Sequence, residues 1–163
     1  MNEDLKQVCD QFIHGMGDVS RFWGFSPVMG QMYGILYLSE KPLTSDEIAG
    51  KLMISKGNVS MTLKNLDRWG MIRKSHRKGD RKEYYEAEPN FMKIFINIIS
   101  ERRNKDFDRS LGTIGECLDR LAKADQRTRE VTFIKERLLN MHRFFKTLDA
   151  SVMTLLKLVG KEE

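Results

Sequence analysis

The chain has 163 residues, 40% of them hydrophobic and 31% charged, with 28 Lys plus Arg against 23 Asp plus Glu for a net charge of +5. That length fits one domain with an appended arm, the apolar content can fill one core, and the charge balance excludes an acidic protein. Two cysteines, Cys9 and Cys117, without CxxC spacing exclude a disulfide scaffold and fit a reducing compartment.

The N-terminus carries acids where a secretory signal would carry basic residues, and no continuous apolar core follows. The longest apolar stretches, Ile94 to Ile99 and Val152 to Val159, are interrupted by Asn97, Thr154 and Lys157 and fall short of the roughly 18 residues that span a bilayer. A soluble, cytoplasmic protein with no membrane partner is expected. Leu5, Val8, Phe12, Met16 and Val19 recur at helical spacing, which predicts an amphipathic arm over residues 1–24 that joins a dimer interface. Between that arm and the next helix, Phe22, Trp23, Phe25, Tyr33 and Tyr37 place five of the chain's 15 aromatics within 16 positions. Rings at that density can cage a quaternary ammonium ligand by cation-π attraction, but they read more readily as core joining the arm to the unit that follows.

Residues 25–88 read as that unit. Pro27 suits the first turn of a helix carrying Val28, Met32, Ile35 or Leu36, and Leu38, closed by Lys41-Pro42. Thr44-Ser45-Asp46-Glu47 has the form of a capping box before a short helix with Ile48, Ala49 and Leu52 on its buried stripe. After Met53-Ile54, Ser55 is a second N-cap, and the helix from Lys56 runs until Gly70 supplies a left-handed residue. On that helix Val59, Leu63 and Leu66 share one face, flanked by Thr62 and Trp69. Gly57, Met61, Lys64 and Arg68 form the opposite face, bordered by Asn58, Ser60 and Asn65, with no acid among them. MIRKSH and KEYYEA then read as two strands around a basic tip, with Gly79 free to take positive φ. A helix-turn-helix followed by a basic hairpin is a winged helix.

Charge follows the same division. Lys51 to Lys82 holds ten basic residues against Asp67 and Asp80, a net of +8, while everything outside Lys41 to Ala87 is neutral. A solvated helix face with a basic loop would account for the charge alone, but its placement on a helix-turn-helix and wing is the footprint of a surface for double-stranded DNA. Ser55, Lys56, Asn58, Ser60, Met61, Lys64, Asn65, Arg68, Arg77, Lys78, Arg81 and Lys82 are the candidate DNA-contacting residues. Asn58, Ser60, Met61 and Asn65 suit base edges, and the cations suit phosphates.

The stretch from Gly24 to Pro89, above all PLTSDEIA, SKGNVSMTLKNL and KGDRKEYYE, resembles the MarR superfamily, and within it the GbsR-like branch. The resemblance implies a homodimeric transcriptional regulator, a repressor modulated by a small ligand, that binds a pseudo-palindromic operator through the helix after Ser55. A related branch includes a choline-responsive repressor, which gives the aromatic cluster a ligand class. In many MarR wings one residue separates an Asp from an Arg, whereas Asp80 and Arg81 are adjacent here, so either Arg77 or Arg81 could enter a minor groove.

Residues 89–163 read as helical dimerisation arms. Phe91, Ile94, Phe95, Ile98 and Ile99 open one series that Phe107, Leu111, Ile114, Leu118 and Leu121 continue, and Ala124 to Thr128 can hold a turn. Val131, Ile134, Leu138, Met141, Phe145, Leu148, Val152, Leu155 and Val159 alternate steps of three and four as a heptad seam. The fold class expected is therefore mainly α with a small β-hairpin wing. No GxSxG, HExxH, Walker loop or GxGxxG occurs, and His14, His76 and His142 are far apart. Cys9, His14, Cys117 and His142 lack the spacing of a zinc finger or ribbon. Neither an enzyme nor a cofactor or metal site is predicted; the rival reading is a helical adaptor that uses the winged helix for protein contacts.

Overall fold

A computed structural model of the chain describes residues 2–123 and 128–159. The described residues are mainly helical, with one small antiparallel sheet, and divide into two compact units, 1–94 and 95–163. The N-terminal arm lies in the first unit.

Helix α1 (Glu3–Phe22) is capped by Asn2 and packs on α2 (Pro27–Tyr37), whose N-cap Ser26 accepts from the Met29 amide at 3.4 Å. Gly30 allows the close approach: a Cβ there would lie 2.0 Å from the Met16 carbonyl oxygen. Contact along α1 therefore runs through Met16, Gly17 and Ser20, and Leu5, Val8 and Val19 from the expected apolar stripe remain exposed. Helix α2 is buried on most sides, with Met29, Met32, Tyr33, Ile35 and Leu36 in the core. Leu38, placed on its apolar stripe by spacing, is exposed instead, because the helix ends at Tyr37.

A two-residue strand, β1 (Leu43–Thr44), leads into α3 (Ser45–Leu52). The expected capping box is present. The Glu47 amide donates to Thr44 Oγ1 at 3.3 Å, and the Glu47 carboxylate accepts from the Thr44 amide at 2.7 Å. The turn to α4 (Lys56–Arg68) places Met53 at φ 52°, a left-handed conformation unusual for a residue with a side chain. Gly70, at φ 66°, follows α4 as expected.

The hairpin consists of β2 (Ile72–His76) and β3 (Glu83–Ala87), paired from Ile72 opposite Ala87 to His76 opposite Glu83. β1 adds to the outer edge of β3 and completes a sheet of order β1-β3-β2. Gly79 takes φ 86° at the tip. Val59, Leu63 and Leu66 of α4 join Ile48, Met32 and Tyr33 in the core that holds this winged helix together.

In the second unit, α5 (Phe91–Arg102), which begins in the first, continues through a π-helical turn at Arg103–Phe107 into α6 (Asp108–Ala122). Among the two places where a break was conceivable, Arg103 carries that bulge, whereas Gly112 lies inside an unbroken helix. The expected turn at Ala124 to Thr128 falls, except for Thr128, outside the described residues. Helix α7 (Arg129–Val159) packs on α6, with Phe107 edge-on to Phe145 at 5.1 Å and Arg103 bonded to Asp149 at 2.6 Å. Its heptad seam is split. Val131, Leu138, Phe145 and Val152 are partly covered within the chain, whereas Ile134, Met141, Leu148 and Leu155 are exposed. No helix among the described residues is long and apolar enough to cross a membrane.

Candidate nucleic-acid interface

Helix α4 is anchored by what it buries. Val59, Leu63 and Leu66 are in the core, and Thr62 lies beside them with its hydroxyl donating to the Asn58 side-chain oxygen at 3.2 Å. That bond turns part of Asn58, a candidate base reader, toward its own helix and leaves its NH2 group as the outward donor. Lys56, Gly57, Ser60, Met61, Lys64, Asn65 and Arg68 are exposed along the other side. Ser55 Oγ accepts from the Asn58 amide at 3.2 Å, so the cap is formed, and the first-turn amides and helix dipole face the end where Lys56 sits.

The fold brings acids to this region that helix spacing does not reveal. Asp46 of α3 pairs with Lys56 at 2.7 Å, and the Lys56 hydrogen bond is the main cause holding the Asp46 carboxyl below its usual range. Asp67 accepts from Lys74 Nζ at 2.6 Å, and Arg73 is held by Glu88. At least three of the ten cations from Lys51 to Lys82, namely Lys56, Arg73 and Lys74, are thus tied to carboxylates, and the reading surface is less positive than a linear count suggests. Lys64, Lys78, Arg81 and Lys82 form no ion pair among the described residues, and all four are exposed. Arg68 lies 5.5 Å from the centroid of the Trp69 ring, which packs edge-on to Phe25.

The wing distinguishes its two candidate arginines. Arg77 lies over the Tyr84 ring at 4.1 Å and borders a cleft of about 420 Å³ with Glu47, Lys82 and Tyr84. Asp80 accepts from the Tyr84 hydroxyl at 2.7 Å and from the Lys82 amide at 3.0 Å, which folds the tip back on β3. These two bonds lower the Asp80 carboxyl's pKa, the Tyr84 hydroxyl contributing most. Arg81 follows Asp80 on the outward side of this turn, at the exposed tip. Burial, helped by a hydrogen bond to Glu83, pushes the Tyr85 phenol up to about 12 and marks the opposite face of β3 as core.

The five aromatics considered for a ligand cage differ in contacts and exposure among the described residues. Tyr33 has no exposed surface, and its hydroxyl donates to the Glu88 carbonyl at 2.7 Å, so a ligand cannot touch it in this arrangement. Tyr37 stacks on it at 5.8 Å and meets Phe91 at 5.2 Å. Phe22, 84% exposed, meets Trp23 edge-on at the far end of α1, and Phe25 packs on Trp69. Tyr33 is core, whereas Tyr37 keeps 37% of its surface exposed. No group of three or more His, Cys, Asp or Glu among the described residues could hold a metal ion.

Sequence reasoning missed that Asp46, Asp67 and Glu88 would pair with Lys56, Lys74 and Arg73. Asp46 sits in the first turn of a predicted helix next to a predicted N-cap, which was the available signal. Glu88 offered none, because its partners come from three elements.

Residues 23–83 match the sequence profile of the MarR family. The HTH-type transcriptional repressor GbsR of Bacillus subtilis strain 168 is 26% identical over 119 residues, 73% of this chain and 66% of that protein. YvaV of the same organism, named as an HTH-type transcriptional regulator, is 28% identical over 101 residues, 62% of this chain and 57% of its own length. The matched regions thus span less than two thirds of either relative. A crystal structure of a transcriptional regulator aligns over 94% of this chain and 99% of its own with a TM-score of 0.68 at 20% identity, a likeness of fold.

Proposed function

We propose, on the match of residues 23–83 to the MarR family and their winged-helix fold, that the protein is a dimeric, sequence-specific DNA-binding regulator that acts as a repressor. The observation that carries this reading is the outward face of α4, where small polar groups and cations are exposed on a helix rigidly seated by Val59, Leu63 and Leu66. An α-helix of that kind fits the major groove, where Ser60, Asn65 and the outward NH2 of Asn58 reach base edges and Met61 meets a thymine methyl. Lys64 and Arg68 take phosphates, Lys56 joins them where a phosphate displaces Asp46, and Ser55 holds the N-terminal turn against the backbone. Arg81 enters the adjacent minor groove while Lys78 and Lys82 grip its phosphates; Arg77 supports the wing from the Tyr84 ring.

Two heads are needed to read a two-fold site, with half-sites about 34 Å apart. The exposed apolar residues of α1 (Leu5, Val8, Val19) and of α7 (Ile134, Met141, Leu148, Leu155) supply the surface for a second copy. The name of GbsR as a repressor supports control of a promoter by occlusion. A small effector would modulate binding by favouring one spacing of the heads. Of the five aromatics, Phe22, Trp23, Phe25 and Tyr37 keep surface that such a ligand could reach, and Tyr33 does not.

Mobility shift on duplex from the protein's own upstream region tests the assignment. Wild type is expected to bind, with Asn65→Ala relaxing base preference at one position per half-site. Equal affinity for operator and scrambled duplex in both proteins would overturn it, as would binding insensitive to salt, which an adaptor would show.

A further inference from the structure

Glu88 is 2% exposed, carries a carboxylate and lies on no reading face. Its partners arrive from several elements. Arg73 of β2 grips it twice, Nε to Oε2 at 2.9 Å and a terminal nitrogen to Oε1 at 2.7 Å. From the start of α5, the Asn90 amide donates to Oε1 at 3.1 Å and Lys93 Nζ to Oε2 at 3.2 Å. The main chain is held as firmly, since the Tyr33 hydroxyl of α2 donates to the Glu88 carbonyl and the Glu88 amide donates to Met71 O at 2.9 Å. Burial works to raise the carboxyl's pKa, but Arg73, the Asn90 amide and Lys93 together hold it below the usual value. The group is therefore ionised. A buried carboxylate left half paired is costly, so its partners move as a set rather than one at a time.

We propose that Glu88 is a positioning residue that fixes the root of the wing to α2 and to the first turn of α5, so that a displacement of either helix is passed to the wing tip. The inference rests on the reading of the wing as a DNA contact for its functional consequence, and on the bonds above for the joint itself. The strands act as a lever. From Arg73 to the tip the hairpin extends about 17 Å, at roughly 3.3 Å per residue. A rotation of about 5° at the root then moves the tip by about 1.5 Å, more than the spread of distances over which a hydrogen bond survives.

Full-length Arg73→Met and Glu88→Gln proteins test the joint, with Lys74→Met as a control that breaks the neighbouring Asp67 pair and leaves Glu88 untouched. Arg73 is half exposed, and its replacement by Met leaves Lys93 and the Asn90 amide on Glu88, so this variant serves where Glu88→Gln does not fold. Without DNA, amide hydrogen exchange is expected to quicken about tenfold in peptides covering both 72–87 and 89–94 in Arg73→Met, and only near Asp67 and Lys74 in the control. Quickening confined to the wing, with residues 89–94 unchanged, would overturn the proposal. On operator duplex, Arg73→Met is expected to lose about tenfold in affinity in the wild-type wing and nothing in an Arg81→Ala and Lys78→Ala background. A loss of equal size in both backgrounds would assign Arg73 and Glu88 to general stability and overturn it too. If wild type binds no duplex, the DNA reading fails, and the exchange experiment still decides whether the joint exists.

Discussion

Lys64 and Lys74 are both exposed lysines of the winged helix, and the structure gives them opposite roles. Lys64 forms no ion pair among the described residues, whereas Lys74 is bonded to Asp67 at 2.6 Å. Lys64→Ala therefore removes an ammonium available to a phosphate, and in a two-headed protein it does so twice. Each phosphate contact contributes about 0.9 to the slope of log Kobs against log salt, so the slope should shrink by about 1.8 per dimer. Between about 50 and 200 mM salt, wild type then weakens about tenfold more than Lys64→Ala. The double replacement of Lys74 and Asp67 by Ala removes a charge-neutral pair and should leave the slope where it was. Fluorescence anisotropy of a labelled operator duplex across that salt range measures both. An unchanged slope in Lys64→Ala, or the same reduction in the charge-neutral double, would refute the separation of free from tied cations on which the interface rests.

Gly30→Ala should destabilise the first unit by about 3 kcal/mol or more in urea unfolding, because the new Cβ would sit 2.0 Å from a backbone oxygen and α1 must move away from α2. Gly50→Ala, in α3 with nothing within 4 Å of a Cβ, should be neutral or stabilise by up to about 1 kcal/mol; equal losses at both would contradict the packing. Hydrogen bonds from the Thr44 amide and hydroxyl depress the folded-state pKa of Glu47, and the partners of Glu88 overcome burial to depress its carboxyl as well. The stability they contribute is complete above the unfolded value near 4.5 and is lost as pH falls through the lower folded values. Thermal melts should therefore decline below that pH, less steeply in Glu47→Gln, which keeps the cap without the titration; an identical decline would contradict the assignment. Met141→Asp with Leu148→Asp should convert a particle of twice the 19.0 kDa chain mass into one of that mass by light scattering. An unchanged mass would remove α7 from the dimer interface.

The local signals were legible. The Thr44 capping box, the Ser55 cap, positive φ at Gly70 and Gly79 and the buried side of α4 all depend on residues within a few positions of one another, and spacing reads those directly. Strand β1 was not, because two residues carry no periodicity and Leu43 becomes a strand only by pairing with Tyr85. The heptad seam of α7 was half legible: spacing identifies the apolar positions, but whether Phe145 or Met141 is covered depends on where α6 and the π-turn lie. Net charge failed in the same way at the site. The sequence assigns Lys56, Arg73 and Lys74 to a positive surface, while Asp46, Glu88 and Asp67 reach them only through the fold. The density of aromatics from Phe22 to Tyr37 was legible as a cluster, but spacing could not tell that Tyr33 would be fully buried while Phe22 and Tyr37 stay exposed.

Hydroxyl-radical footprinting on the protein's own upstream DNA tests the central claim most directly. The expected result is two protected patches related by two-fold symmetry, about one helical turn apart, each flanked by minor-groove protection that Arg81→Ala removes and Arg77→Ala largely keeps. A single unsymmetrical patch, or protection that is uniform along the duplex and unaffected by Lys64→Ala and Arg68→Ala, would contradict the account.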